Sequence, residues 1–336
     1  MENLTIPEGY ISPLTIRETE VAIKEIKDHF EGALAKSLHL TRVSAPLFVR
    51  ASSGLNDTLN GVERPVSFDP LEQPEEVVEI VHSLAKWKRF ALKQYGFHSG
   101  EGLYTDMIAI RRDEITDNTH SLYVDQWDWE KIISGEERNM ETLEYSVRKV
   151  YNALKSTEDY ISRRYNYIEP WLPDEIFFIT AQELEHRYPN LSPDAREYEI
   201  TKAKGAVFVS QIGHTLASGQ SHGGRAPDYD DWLLNGDIIV YYPVLDIALE
   251  LSSMGIRVDE ETLKKQLTLA GCPERAELPF QKALLNKELP YTVGGGIGQS
   301  RICMYYLRKA HIGEVQSSLW PEDRFAFALA HNIQLL

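Results

Sequence analysis

The chain has 336 residues, 43% of them hydrophobic, with a formal net charge of −16. This is an ordinary globular composition that can bury a substantial core, and its acidic field works against a surface built for nucleic-acid phosphates. Two cysteines exclude a disulfide framework, ten histidines include no HxxxH or HxH pair suited to zinc, and no apolar run reaches membrane-spanning length.

In chain order, Ile16, Ile23, Ile26, Phe30, Leu34 and Leu38 recur at helical spacing and predict one long amphipathic helix. A strand with Pro46 follows, then a polar Gly- and Asn-rich segment too long for a tight turn. "EEVVEIVHS" predicts a strand and "LAKWKRFALKQYG" a helix; "EGLYTDMIAIRRDE" and "HSLYVDQWDWEK" predict an antiparallel pair. A helix carrying Leu143, Val147, Val150, Tyr151 and Leu154 on one face comes next, then "DEIFFIT" as strand, "AQELEHRYP" as helix, and a helix and strand within "DAREYEITKAKGAVFVSQIG". After a polar loop, "GDIIVYYPVLDIALELSSMGIRV" predicts two long strands broken at Pro243, and a helix over 260–270 precedes the glycine run "GGGIGQSR" and its helix. Strands neighbour strands, so the pattern predicts an α+β fold with an antiparallel sheet flanked by helices, and residues 1–336 form a single domain.

Several stretches suit chemistry. Four glycines in five positions, Gly294, Gly295, Gly296 and Gly298, exceed what one turn needs; they predict positive φ or a backbone approached closely by an anion or a flat ring, with Arg301 on the first turn of the helix beyond. Arg111 sits on a partly apolar strand face, suited to a phosphate or carboxylate, or else to an edge pairing with Asp113 or Glu114. Gln126 and Asp128 share one strand face opposite Trp127 and Trp129; that face is either a ligand surface or a solvated one. Asp237 and Glu250 flank the paired strands, where two carboxylates suit Mg²⁺. Lys86, Lys88 and Arg89 form either an anion site or a solvated basic face, and Asp57 is either a turn residue or a chemical group.

Taken together, "RRDE", "ELSSMGIR" and "GGGIGQSR" resemble the second and third motifs of class II aminoacyl-tRNA synthetases, and Pro46 after the first helix resembles their dimer-forming first motif. With "VHSLAKWKR", "GEGLYTDM", "YVDQWDWE", "RAPDYDDW" and "NGDIIV", the chain resembles the ammonia-dependent asparagine synthetases from about Ile16 onward. The resemblance implies a class II catalytic core, a homodimer and the substrates L-aspartate, ammonia and ATP with Mg²⁺. The β-carboxylate would attack the α-phosphate, giving β-aspartyl-AMP, which ammonia converts to asparagine and AMP.

Carried over residue by residue, Arg111 bridges the α-phosphate and the reacting carboxylate, and Asp237 and Glu250 hold the metal. Ser83, Lys88, Gln126, Asp128 and Ser253 bind aspartate; Asp230, Arg301 and the glycines bind the nucleotide; and Asp57 orients ammonium or takes its proton. The segment between "DYDDW" and "NGD" is only "LL", shorter than in some members. An aspartyl- or asparaginyl-tRNA synthetase core is the competing reading, and a paralogue that has lost catalysis is a third. The absence of an export signal and of any membrane-length run predicts a cytoplasmic protein with no membrane or nucleic-acid partner.

Overall fold

The first helix, α1 (Ile16–Leu38), begins where Thr15 accepts from the Glu18 N–H while the Glu18 carboxylate accepts from the Thr15 N–H, and it stops at His39, which turns left-handed at φ 60°. The structure is a computed structural model describing residues 4–59 and 63–336. Residues 60–62 of the predicted polar loop lie outside the described residues. The strands are β1 (Leu40–Arg42), β2 (Phe48–Arg50), β3 (Ser67–Phe68), β4 (Val78–Ile80), β5 (Gly102–Ile110), β6 (Tyr123–Ile132), β7 (Phe177–Thr180), β8 (Ala206–Ser210), β9 (Asp230–Tyr242), β10 (Ile247–Arg257) and β11 (Thr292–Gly298). The remaining helices are α2 (Ala85–Gln94), α3 (Met140–Arg164), α4 (Ala181–Arg187), α5 (Pro193–Lys204), α6 (Glu260–Leu269), α7 (Pro279–Leu285), α8 (Gln299–Tyr306) and α9 (Glu322–Ala330).

Eight strands form one sheet in the order β1-β5-β6-β11-β10-β9-β8-β7. From β5 through β8 every neighbour is antiparallel, as expected; the outer pairs, β1 with β5 and β7 with β8, are parallel. The strands predicted at Pro46 and in "EEVVEIVHS" are β2 and β4, but they pair with β3 in a second small sheet, β2-β4-β3, that was not foreseen, because the two residues of β3 carry too little periodicity to read.

Strand alternation then sorts the chemistry. Trp127 and Trp129 of β6, Met254 and Ile256 of β10, and Val293 and Ile297 of β11 enter the main core with Phe30 of α1, Val147 of α3 and Tyr306 of α8. The Phe30 and Trp127 rings are 4.6 Å apart. Gln126, Asp128 and Glu130 therefore take the opposite face.

The glycine run is a correction. It is not a loop: Gly294, Gly295, Gly296 and Gly298 lie inside the central strand β11, and none has a positive φ. Its cause is crowding between strands. A Cβ on Gly294 would collide with Glu130 Oε2, and one on Gly296 would stand 2.6 Å from Gln126 Oε1. At Gly294 and Gly296 the absent side chains make room for polar groups of β6 on the face away from the core, whereas a Cβ on Gly295 would meet Met254 of the core.

Candidate active site

On that polar face lies a cavity of about 470 Å³, lined by Asp57, Ser83, Lys88, Arg111, Gln126, Asp128, Arg225, Asp230, Glu250, Ser253, Gly295 and Gly296 among others. A smaller cavity of about 180 Å³ shares Arg111, Gln126, Glu250 and Gly296 with it and adds Gly298 and Arg301. Of the residues to which the resemblance assigns a site role, Gly294 and Asp237 line neither; Gly294 meets the site through Glu130 and Asp237 through Arg225.

The floor is a closed network of charges. Lys88, wholly buried, donates to Asp128 at 2.6 Å, to the Trp129 carbonyl at 3.0 Å and to the Gly295 carbonyl at 3.2 Å. All three ammonium protons are thus engaged. Arg257 donates to Glu130 at 2.8 Å and to Asp230, and Thr292 donates to Glu130 at 2.6 Å. Burial alone would raise the Glu130 carboxyl, but the charges of Arg257 and Lys88 outweigh it and hold the pKa below its ordinary value. The same contest favours charge on Arg257, where Glu130 and Asp230 overcome burial. Asp230, expected beside the nucleotide, pairs with Arg257 in this buried cluster and also lines the main cavity. Lys86 and Arg89 match neither sequence reading: Lys86 is buried against Asp228, and Arg89 is buried against the carbonyls of Val258 and Pro290.

A β-bulge decides where Glu250 points. Ser252 pairs with Ile238 and Glu250 with Ile239, so Leu251 is an extra residue in β10. Before the bulge Leu249 and Leu251 are core; after it Met254 and Ile256 are. Plain alternation would send Glu250 to the core face with Met254. The bulge returns it to the cavity face with Ser253. Across the pair, Asp237 is opposite Ser253, and Arg225 clamps both, donating to Asp237 at 2.7 Å and to the Ser253 hydroxyl at 2.5 Å. Burial pushes the Asp237 carboxyl up to about 7; the nearby Glu250 charge adds to this, while Arg225 pulls the other way.

At the more open end, Arg111 approaches Glu114 at 3.9 Å, beyond hydrogen-bond reach, and its buried Nε has no partner. Arg301, on the first turn of α8, donates to the Glu250 carbonyl at 3.0 Å and lies 2.9 Å from His120 Nε2. The start of α8 is no anion site, since Asp125 accepts from both the backbone N–H and the hydroxyl of Ser300. Over the cavity, Asp57 accepts from the Ser83 hydroxyl and from the Leu59 N–H, each at 2.9 Å. Asn56 ties this loop to the chain after β4, accepting from the His82 N–H at 2.8 Å.

Sequence reasoning missed Arg225, Arg257, Glu130 and His82. Arg257 and Glu130 could have been found by extending the strand alternation through Asp128 and Ser253 by one and two further steps. Arg225 sits in a polar loop and offers no periodic signal.

Residues 17–332 match the family model described as aspartate–ammonia ligase. The chain is 65% identical to the aspartate–ammonia ligase of Clostridium perfringens and 63% identical to that of Ruminiclostridium cellulolyticum, over 336 residues and 100% of both chains in each case. Among solved structures it is similar to asparaginyl-tRNA synthetase from Pyrococcus horikoshii complexed with asparaginyl-adenylate (TM-score 0.66, 14% identity, 90% of this chain and 70% of that one). It is also similar to the Entamoeba histolytica enzyme in complex with asparaginyl-adenylate (TM-score 0.62, 15% identity, 90% of this chain), of which it spans 66%. The fold is that of the class II aminoacyl-tRNA synthetase core.

Proposed function

Because the chain belongs to the aspartate–ammonia ligase family, we propose that it makes L-asparagine from L-aspartate, ammonia and ATP through β-aspartyl-AMP, releasing AMP and pyrophosphate. The observation that carries this reading is the polarity of one continuous cleft. Its buried end is saturated with fixed charges; its open end has Arg111, with an unmatched Nε, and Arg301, whose hydrogen-bond contacts are a carbonyl and an imidazole nitrogen, with the Glu250 carboxylate 3.9 Å away and beyond hydrogen-bond reach. An amino acid fits the first and a polyphosphate the second.

In this reading Gln126, Asp128 and Ser253 bind aspartate, with Arg225 available to its carboxylates. Lys88 acts through Asp128, holding that carboxylate in place, and Ser83 acts through Asp57. Asp230, with Arg257, shapes the amino-acid end. Arg111 meets the reacting carboxylate and the α-phosphate, stabilising charge that develops in both steps. Gly296, Gly298 and Arg301 bound the nucleotide end.

Glu250 lines the cleft, Asp237 is tied to Arg225 just outside its lining, and the two charges bear on each other; both are hard oxygen donors, and two carboxylates suffice for Mg²⁺ when phosphates complete its shell. They fit that ion, which would neutralise the triphosphate. Among the described residues there is no cluster of three His, Cys, Asp or Glu that could hold a metal unaided. The reading also carries a single catalytic domain over residues 1–336, a homodimer and a cytoplasmic location; among the described residues no helix is long and apolar enough to cross a membrane.

The test is a product assay with aspartate, ammonium, ATP and Mg²⁺. Asparagine and AMP in equal amounts are expected, with oxygen label from the β-carboxylate recovered in AMP. ADP as product would overturn the adenylate route, and charging of tRNA with aspartate or asparagine would favour the synthetase reading.

A further inference from the structure

His82 follows β4, is 1% exposed, and lines the main cavity together with Asp57. Its Nδ1 lies 3.1 Å from the backbone carbonyl oxygen of Asp57. A carbonyl oxygen has no proton to give, so Nδ1 carries the hydrogen and donates it, leaving Nε2 of the neutral ring with a lone pair. That Nε2 is buried and has no hydrogen-bond partner. An unmatched buried acceptor is destabilising, and the Nδ1 bond alone would suffice to hold the ring against the loop. The vacant acceptor asks for a ligand that brings an N–H.

Ammonium is such a ligand, and it poses a chemical problem. It has four donors but no lone pair, so it must shed a proton before it can attack an acyl carbon. Asp57 has one carboxylate oxygen bonded to Ser83 and the other to Leu59, which suits the ionised form and attracts a cation. A carboxylate alone would keep the nitrogen charged and unreactive.

We propose that Asp57 draws in ammonium and that His82 Nε2 takes one proton from it, which makes His82 a catalytic residue of the amidation step. This inference rests on the function proposed above. An N–H bond of ammonium breaks towards Nε2, giving ammonia and an imidazolium. The ammonia lone pair forms the C–N bond at the β-acyl carbon, the C–O bond to the phosphate breaks, and AMP leaves with that electron pair. The remaining surplus proton on nitrogen goes to the departing phosphate.

The experiment uses His82→Asn, whose side-chain N–H can still reach the Asp57 carbonyl but which has no Nε2, and His82→Gln, which restores length without a basic nitrogen. Aspartate-dependent ATP–pyrophosphate exchange in the same samples reports folding and adenylation. With ammonium, both variants are expected to make asparagine about a hundredfold more slowly, the ordinary weight of a positioned base, while exchange persists. With hydroxylamine, a weaker base that is largely unprotonated at neutral pH, the deficit should shrink towards wild type. An equal deficit with both nucleophiles, or loss of exchange alongside synthesis in both variants, would overturn the role of His82. Wild-type protein without aspartate-dependent exchange would instead overturn the adenylate reading beneath it.

Discussion

The buried floor and the open mouth of the cleft use the same residue types in opposite ways. On the floor, Lys88, Arg257, Asp128, Glu130 and Asp230 satisfy one another at hydrogen-bond distance, out of water. At the mouth, Arg111 stands 3.9 Å from Glu114, and Arg301 rests on a carbonyl oxygen and an imidazole. The difference teaches where binding energy comes from. Floor charges are committed during folding and give the site its shape; mouth charges stay available, and in the proposed reaction a phosphate arriving there would replace weak contacts with charge-assisted bonds.

That contrast can be broken at several points. The largest effect is expected from Arg257→Met on the floor, which leaves Glu130 and Asp230 buried without their cation and should cost about 3–5 kcal/mol of stability, read by urea unfolding. Activity would fall with it, and a stable but inactive variant would move Arg257 from the floor into the chemistry. At the mouth, Arg111→Lys should lower asparagine formation by about a hundredfold to a thousandfold, as loss of a transition-state donor does, with the urea midpoint unchanged. Equal losses of stability and rate would erase the distinction.

A smaller effect is expected at the loop. Asp57→Asn should slow synthesis by roughly tenfold to a hundredfold while ATP–pyrophosphate exchange continues, as suits a group that acts on ammonium alone. Exchange lost together with synthesis would assign Asp57 to adenylation.

Asp237 marks the border between the two regions, and its effect is on pH dependence. Its carboxyl is raised from 3.8 to about 7, so between those values the folded state holds a proton that the unfolded chain has released. The stability this group contributes is present below pH 3.8 and is lost as pH rises through about 7. Wild type should therefore lose stability relative to Asp237→Asn as pH rises across that window, and parallel curves for the two proteins would place Asp237 among the ordinary floor charges.

Much of this site was legible because β-strands alternate. Gln126 and Asp128 opposite two tryptophans predicted a polar strand face, and that face lines the cavity. The helices carried equally plain signals, since the predicted stripe of α3 is buried as a unit. The glycine run marked the right place for the wrong reason: a count of glycines says that a backbone is approached closely, but not whether a turn or a neighbouring strand makes the approach. Lys86 and Arg89 misled because a basic helix start looks the same whether its partners are solvent or polar groups more than a hundred residues away.

Periodicity in the amino-acid sequence was enough to say which residues share a helix stripe or a strand face, and the longer motifs were enough to say which family they resemble. Only the tertiary structure decided which charges neutralise each other and which remain open, because an ion pair depends on approach in space, and those of Arg257 and Lys88 join strands and helices far apart in the chain. It also decided the direction of Glu250. One extra residue in β10 reverses the alternation, and a bulge exists only as a mismatch between two paired strands, so neither strand read alone contains it.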